Sequence, residues 1–165
     1  RVILWGSRFP VMIKWGSPEV KGLGTTDLLD KLKRAAVLKM AKRYEANVLL
    51  LQEMHLLGHK CPFANWYSFS HAYHAGFTWG SRGVAILLQK RFPFIHRKTW
   101  HDSHGCYMAI TGQKGEKLLS IICIYAPPPL SASLLDDLCG LIARLPPGRL
   151  IMGGRLQCSG RPKTG

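Results

Sequence analysis

Hydrophobic and polar positions follow two different periods along the chain, and these periods predict where strands and helices lie. Short apolar runs at residues 11–15, 47–52, 83–88 and 150–152 predict strands. The unbroken apolar run at residues 47–52 is typical of a strand that is covered on both faces. Alternation of larger and smaller side chains over residues 67–74 predicts a further strand with one bulkier face.

Two other segments show the spacing of a helix. Behind possible caps at residues 25–27, apolar side chains recur at helical intervals up to Glu45, namely Leu28, Leu32, Ala35, Ala36 and Met40. A second helix is expected behind Ser131 or Ser133, and Pro146 ends it. Residues 107–111 and 118–125 flank a turn-forming segment and predict a hairpin. This order of elements predicts an α/β fold with two mixed sheets forming a sandwich flanked by helices.

The charge of the chain narrows the class of partner. The 165 residues suit one domain, and 23 Lys plus Arg against 9 Asp plus Glu give a formal net charge of +14. Such an excess favours a polyanion such as DNA, because each cation placed on a phosphate releases a condensed counterion. The alternative is a compositional bias without a partner. No acid follows Asp137, so the last part of the chain is a poor place for a divalent cation.

Cysteine usage and hydropathy exclude some other classes. The five cysteines form no CxxC pair, so a zinc site is not expected. Reduced thiols at wide spacing fit a nuclear or cytoplasmic protein. No apolar stretch has the length needed to span a bilayer, and no membrane partner is expected.

Four segments, in this order, resemble motifs of one protein family. They are Leu-Gln-Glu-Met-His at 51–55, Ser-Arg-Gly-Val-Ala-Ile-Leu at 81–87, Ile-Tyr-Ala-Pro at 124–127 and Leu-Ile-Met-Gly-Gly-Arg-Leu-Gln at 150–157. Together they resemble the endonuclease/exonuclease/phosphatase superfamily in its LINE retrotransposon branch, which is similar to apurinic endonucleases and DNase I. The resemblance places a partial domain at residues 11–158, after an N-terminal extension at 1–10 and before a disordered tail at 159–165.

The resemblance implies a fold and an activity. The family fold is a DNase I-like two-sheet sandwich, of which the C-terminal strands have no counterpart in this sequence. The family hydrolyses DNA phosphodiesters with Mg²⁺ and nicks one strand, and in the full element a reverse transcriptase domain follows.

The same resemblance assigns roles to particular residues. Glu53 matches the carboxylate that holds the metal, although it could instead pair with one of the many cations. Glu19 stands where the family has an Asn that helps to hold the metal. Tyr125 matches a tyrosine that hydrogen-bonds phosphate, and packing at a strand end is its alternative role. Gln52 is a supporting residue that orients Glu53 by hydrogen bonding; alternatively, its amide only forms structural hydrogen bonds at the strand end.

Two positions depart from the family pattern. Arg155 replaces the Asp that activates water, and Gln157 replaces the Asn that donates to the phosphate. A guanidinium carries only donors and stays protonated, so it can neither accept a proton nor favour a divalent cation nearby. We therefore expect a catalytically inactive endonuclease fragment. One alternative is a basic remnant that binds nucleic acid without catalysis. A less favoured alternative is a phosphatase of the same superfamily.

Overall fold

Two β-sheets face each other in a computed structural model that describes residues 2–6, 10–13, 28–54, 68–76, 82–127 and 129–156. Side chains are described from residue 35 onward within these ranges, apart from those of Ser70 and Leu156. The α/β class and the two-sheet arrangement predicted from the sequence are confirmed. Neither helix in these ranges has the length and apolar character to cross a membrane.

Sheet A has five strands in the spatial order β2-β1-β3-β5-β4, and all neighbouring strands are antiparallel. Its strands are β1 (Val2–Gly6), β2 (Pro10–Ile13), β3 (Ala46–Gln52), β4 (Phe69–Gly76) and β5 (Gly83–Gln89). Helix α1 (Leu28–Arg43) leads directly into β3. The central strand β3 is therefore hydrogen-bonded on both edges, which suits its unbroken apolar sequence.

Sheet B has four strands in the order β6-β7-β8-β9, comprising β6 (Ile95–His101), β7 (Tyr107–Lys114), β8 (Lys117–Ala126) and β9 (Arg149–Leu156). Only the β8–β9 pair is parallel, because helix α2 (Ala132–Arg144) carries the chain back between them. Ser131 caps α2, and its Oγ accepts a hydrogen bond of 3.1 Å from the Leu134 backbone N–H.

The core lies in three layers set by the alternation of side chains along the strands. Leu49 and Leu51 of β3 pack on the α1 side with Val37 and Ala41. The intervening Val48 and Leu50 belong to the middle cluster, which joins sheet A to sheet B. On the outer face of sheet B, α2 buries Leu138 and Leu141 against β7 and β8. Each such fully buried aliphatic side chain contributes roughly 1.5–3 kcal/mol.

Three details differ from the sequence prediction. Residues 1–10 were assigned to an extension, but β1 lies there and pairs with both β2 and β3. Strand β6 was not predicted, because its sequence, Ile-His-Arg-Lys-Thr-Trp-His, has no regular apolar alternation and it is mostly exposed. Among the side chains of α1 that are described, which begin at residue 35, Ala35 is exposed and the buried positions are Val37 and Ala41. The expected tail at 159–165 lies outside the described residues.

Candidate functional site

Glu53 immediately follows the last residue of β3 at one end of the sandwich, which we call the site rim. Its backbone has φ of 57°, a left-handed conformation that is uncommon for a residue with a side chain. The next residue is anchored, since the Met54 N–H donates to the Gly83 carbonyl at 3.2 Å and Met54 is fully buried. Neighbouring strand β5 thus holds the sharp turn that places Glu53 at the rim, a kind of strain that clusters at functional sites.

Tyr125 and Arg155 come to the same rim from sheet B. They are register partners in the parallel β8–β9 pair, so their side chains are neighbours across the ladder. The Tyr125 N–H also donates to the Cys106 carbonyl at 2.6 Å, which fixes the end of β8. Gly154 precedes Arg155, and a Cβ built there would collide with the Ile124 carbonyl oxygen, so glycine is what lets β9 approach β8 closely.

The two sheets bring Arg155 and Glu53 into contact. Arg155 Nη1 lies 3.4 Å from Glu53 Oε1, in an ion pair between residues 102 positions apart. The sheets are also joined one layer below the rim, where the Cys123 thiol donates to the Leu51 carbonyl at 3.4 Å. Arg155 and Glu53 side chains are 24% and 31% exposed, so water screens part of their attraction.

The Tyr125 phenol is coupled to this pair. Burial, then the hydrogen bond to Glu53 and the charge of that carboxylate, together raise the pKa of Tyr125 to about 12, against the opposing charges of Arg155 and Arg82. The phenol donates to the carboxylate, because an ionised carboxylate has acceptor sites only. Tyr125 is therefore protonated at neutral pH, and its single O–H is directed at Glu53.

Two further charged residues at this rim were not found from the sequence. Arg82 precedes β5, and its Nη1 donates to the Cys106 Sγ at 3.5 Å. The Asp102 carboxylate accepts three backbone N–H groups, from His104, Cys106 and Tyr107. Burial, followed by the charge of Asp102, raises the pKa of the Cys106 thiol, so this sulfur is not an activated nucleophile. Both Arg82 and the Tyr125 N–H contact Cys106, so the packing of the two sheets, which the sequence does not reveal, brings Arg82 near Tyr125.

The remaining predicted residues divide into two groups. Gln52 is buried at the end of β3, with 2% of its surface exposed, directly before Glu53. Glu19 and Gln157 lie outside the described residues. The rim therefore brings together Glu53, Tyr125 and Arg155, whereas the second predicted metal ligand is not placed.

A magnesium ion does not fit the described part of this rim. Mg²⁺ needs carboxylate and other oxygen ligands around it, yet Glu53 already has the permanently charged Arg155 beside it. The Asp102 carboxylate is occupied by its three backbone donors. No group of three or more His, Cys, Asp or Glu suited to a metal occurs among the described residues.

Arg155 and Tyr125 contribute hydrogen-bond donors to the rim, whereas Glu53 contributes the acceptor with which both interact. A guanidinium and a protonated phenol both donate hydrogen bonds, and the guanidinium also carries positive charge. Both properties suit an anionic oxygen such as that of a phosphodiester. At the position where the resemblance expects a base, Arg155 supplies a donor.

Comparison with known proteins shows the fold. No family model matches the chain. Truncated Caenorhabditis elegans TDP2 is similar at a TM-score of 0.53 and 18% identity, over 81% of this chain and 58% of that one. The human Nocturnin catalytic domain with bound sulfate anion is similar at 0.53 and 16%, again over 81% and 58%. Selenomethionine-labelled C. elegans TDP2 is similar at 0.54 and 17%, over 81% and 44%.

These likenesses confirm the DNase I-like two-sheet α/β sandwich expected from the motifs. The sequence identities are too low to extend the likeness beyond the fold. The chain spans 44% to 58% of the length of these solved structures.

Proposed function

We propose that this chain is an endonuclease-type domain of LINE retrotransposon origin that binds nucleic-acid phosphate but does not hydrolyse it. One observation carries the proposal, namely the 3.4 Å ion pair between Arg155 and Glu53. The residue expected to activate water is a cation, and it neutralises the carboxylate expected to hold the metal. The nuclease ancestry rests on the motif resemblance and the fold, and the loss of activity rests on this ion pair.

Retention of phosphate binding is supported by the donors at the rim. Arg155 and Arg82 are both cationic, and the Tyr125 phenol remains protonated, with its pKa raised to about 12. Charge-assisted hydrogen bonds of this kind are roughly twice as strong as neutral ones. A neighbour of the same fold, the Nocturnin catalytic domain, was solved with a bound sulfate anion, an analogue of phosphate.

Loss of hydrolysis is supported by what the rim lacks. A general base typically contributes about 100- to 10,000-fold to a rate, and a guanidinium has no lone pair to offer. The positive charge of Arg155 also repels a divalent cation that would approach Glu53. The loss of the base and the repulsion of the metal would each lower the rate of hydrolysis strongly, and both arise at Arg155.

The activity experiment uses supercoiled plasmid incubated with Mg²⁺ and the full chain. We expect no nicked circles above the buffer control, for the wild type and for Glu53→Ala alike. Magnesium-dependent nicking by the wild type that is absent in Glu53→Ala would overturn the proposal. A matched substitution of an exposed acid outside the rim, Asp136→Ala, identifies nicking by a contaminating nuclease, because such nicking is the same in all three proteins.

The binding experiment measures anisotropy of a labelled oligonucleotide in EDTA. We expect binding without a divalent cation, weakening steeply as salt rises. Salt-insensitive binding, or none at low salt, would contradict the binding part of the proposal. The LINE origin has its own test, since sequencing downstream of this segment in its gene should reveal a reverse transcriptase coding region.

A further inference from the structure

The opposite end of the sandwich, which we call the far end, collects exposed cations from both sheets and both helices. Helix α1, β5 and β7 end there, and β8 and β9 begin there. The reason is that antiparallel neighbours run in opposite directions and that α2 returns the chain to this end before β9. Eight exposed cations occupy these termini and turns, namely Lys42, Arg43, Lys90, Arg91, Lys114, Lys117, Arg144 and Arg149. Only two acids accompany them among the described residues, Glu45 and Glu116.

The loop between β5 and β6 joins the two halves of this basic surface. Phe92 and Phe94 stack with ring centroids 6.3 Å apart, and the Lys114 ammonium lies 5.5 Å from the Phe92 ring centroid. Gly112 makes room for Phe94, since a Cβ there would lie 2.5 Å from the ring. Lys90 and Arg91 immediately precede this aromatic pair in the connection between the two sheets, and the Lys90 N–H donates to the Ser68 carbonyl at 2.6 Å.

A cleft opens within the far end. Its volume is about 770 Å³, within the range of small-molecule sites, and its openings face solvent. Lys42, Lys90 and Arg91 line it with one acid, Glu45, and the apolar side includes Leu38. Hydrogen-bonding groups complete the lining, contributed by Asn47, Ser68 and Gln89.

The far end carries positive charge that no neighbouring acid balances within the described ranges, and this charge favours binding of an external anion. Within the described ranges, none of its eight cations forms an ion pair with an acid. Like charges held together in this way repel one another, and a net positive surface raises the local concentration of anions. The site rim differs, because there the carboxylate of Glu53 and the guanidinium of Arg155 neutralise each other.

We propose that the far end is a second nucleic-acid-binding surface, with the cleft between Lys42, Lys90 and Arg91 as its centre. The seven residues of β3 separate it from Glu53, a distance of about 23 Å at roughly 3.3 Å per residue. Phosphates bound at the far end thus do not overlap those bound at the rim. The proposal stands on the far-end residues alone and does not depend on what the rim does.

The arrangement of the cations favours nucleic acid over an anionic membrane. Membrane-surface binding typically uses one amphipathic helix, with cations flanking an apolar face that inserts. Here the cations come from loops and termini of different elements, and three of them line a cleft together with amide and hydroxyl groups. An exposed aromatic ring, Tyr44 at 43%, adjoins Arg43 at the same end and offers a stacking surface for a base.

The test compares two double variants that remove the same types of charge. Lys90→Gln with Arg91→Gln alters the cleft, whereas Lys98→Gln with Arg97→Gln alters exposed cations further along β6. Affinity for a fluorescent single-stranded oligonucleotide is measured from 50 to 300 mM salt. Because each lost phosphate contact reduces the slope of log affinity against log salt by about 0.7, the cleft variant should lose about 1.4 from the slope. The β6 variant should lose less than half of that.

A second measurement uses the unaltered protein, so that no variant has to fold. Lysine acetylation read by mass spectrometry should show Lys42 and Lys90 protected by the oligonucleotide, while Lys98 stays reactive. Equal slopes for the two variants, or equal protection of all three lysines, would mean a diffuse charge effect and would overturn the proposal. Binding to phosphatidylserine vesicles that depends on Lys90 and Arg91, without such dependence for the oligonucleotide, would overturn it in favour of a membrane.

Discussion

The two ends of the sandwich are made by the same strands but differ in how their charges are balanced. At the site rim, one carboxylate and one guanidinium lie 3.4 Å apart and the neighbouring phenol donates to the carboxylate. At the far end, eight exposed cations face two acids among the described residues. A paired site has little charge left for a cation ligand, whereas an unpaired surface attracts anions from solution. The two ends thus differ in kind: opposite charges pair with each other at the rim, whereas positive charge is left uncompensated at the far end.

The largest expected effect concerns the close strand approach that sets up the rim. Gly154→Ala should destabilise the chain by about 2–4 kcal/mol, because the new methyl group collides with the Ile124 carbonyl and β9 must move away. Urea unfolding followed by circular dichroism measures the change.

The matched control is Gly140→Ala in α2, where an added Cβ meets only the far tip of Arg144 at 3.9 Å. This change should stabilise the chain by about 0.5–1 kcal/mol, since alanine loses less backbone entropy in a helix. A similar loss of stability in both variants would show that β9 is not held closely to β8.

The next effect is an alkaline loss of stability that originates at the rim. The pKa of Tyr125 is about 12 in the folded chain and 10.0 without its surroundings. The unfolded chain therefore releases this proton first, so the stabilisation is complete below pH 10 and is lost as pH rises to about 12. In Tyr125→Phe this contribution is absent, so the difference in unfolding free energy between wild type and variant should shrink from pH 9 to pH 11.5.

Other tyrosines do not obscure that comparison. Burial also raises the pKa of Tyr73 and Tyr107, but both are present in wild type and variant, so their contributions cancel. A difference that stays constant across this pH range would mean that the fold does not raise the pKa of Tyr125.

A smaller effect is expected on nucleic-acid affinity when the rim loses its acid. Glu53→Gln leaves Arg155 without its partner, and the affinity for DNA in EDTA should rise roughly two- to fivefold, as expected for one partly exposed ion pair. Asp136→Asn removes the same charge from the exposed surface of α2 and should change the affinity much less. Equal gains in DNA affinity from both substitutions would mean that the gain comes from the change in net charge and not from release of Arg155.

The smallest effect is the contribution of the ion pair to stability. A double-mutant cycle with Glu53→Ala and Arg155→Ala should give a coupling energy of about 0.2–1 kcal/mol, because the contact is single and partly exposed. Thermal or urea unfolding at pH 7 measures all four proteins. A coupling energy of several kcal/mol would indicate a buried ion pair. A coupling energy of zero would mean that Glu53 and Arg155 do not interact in solution, against the account of the rim given above.

Local sequence patterns predicted those strands whose apolar residues are also the ones that are buried in the fold. The apolar runs of β3 and β5 and the β7–β8 hairpin lie where the sequence placed them, since buried strands and tight turns have strong local signals. Strand β6 has no such signal, because exposed edge strands are rich in charged residues. Strand β1 was also missed, since its short sequence gains its place only by pairing with β3.

The sequence indicated candidate residues for the site but could not indicate their contacts. Motif resemblance indicated Glu53, Tyr125 and Arg155, yet only the fold shows that Arg155 pairs with a carboxylate 102 positions away. The far end had no motif at all. Its cations are scattered from Lys42 to Arg149 and become one surface only through strand order and the return of α2.

The central claim is that Arg155 keeps divalent cations away from Glu53. Paramagnetic broadening of backbone amide signals by Mn²⁺ tests it directly, because broadening reports metal near a residue without requiring any reaction. We predict no selective broadening at Met54 and Gly83 in the wild type, and selective broadening there in Arg155→Ala. Selective broadening at those two amides in the wild type, lost in Glu53→Gln, would contradict the account.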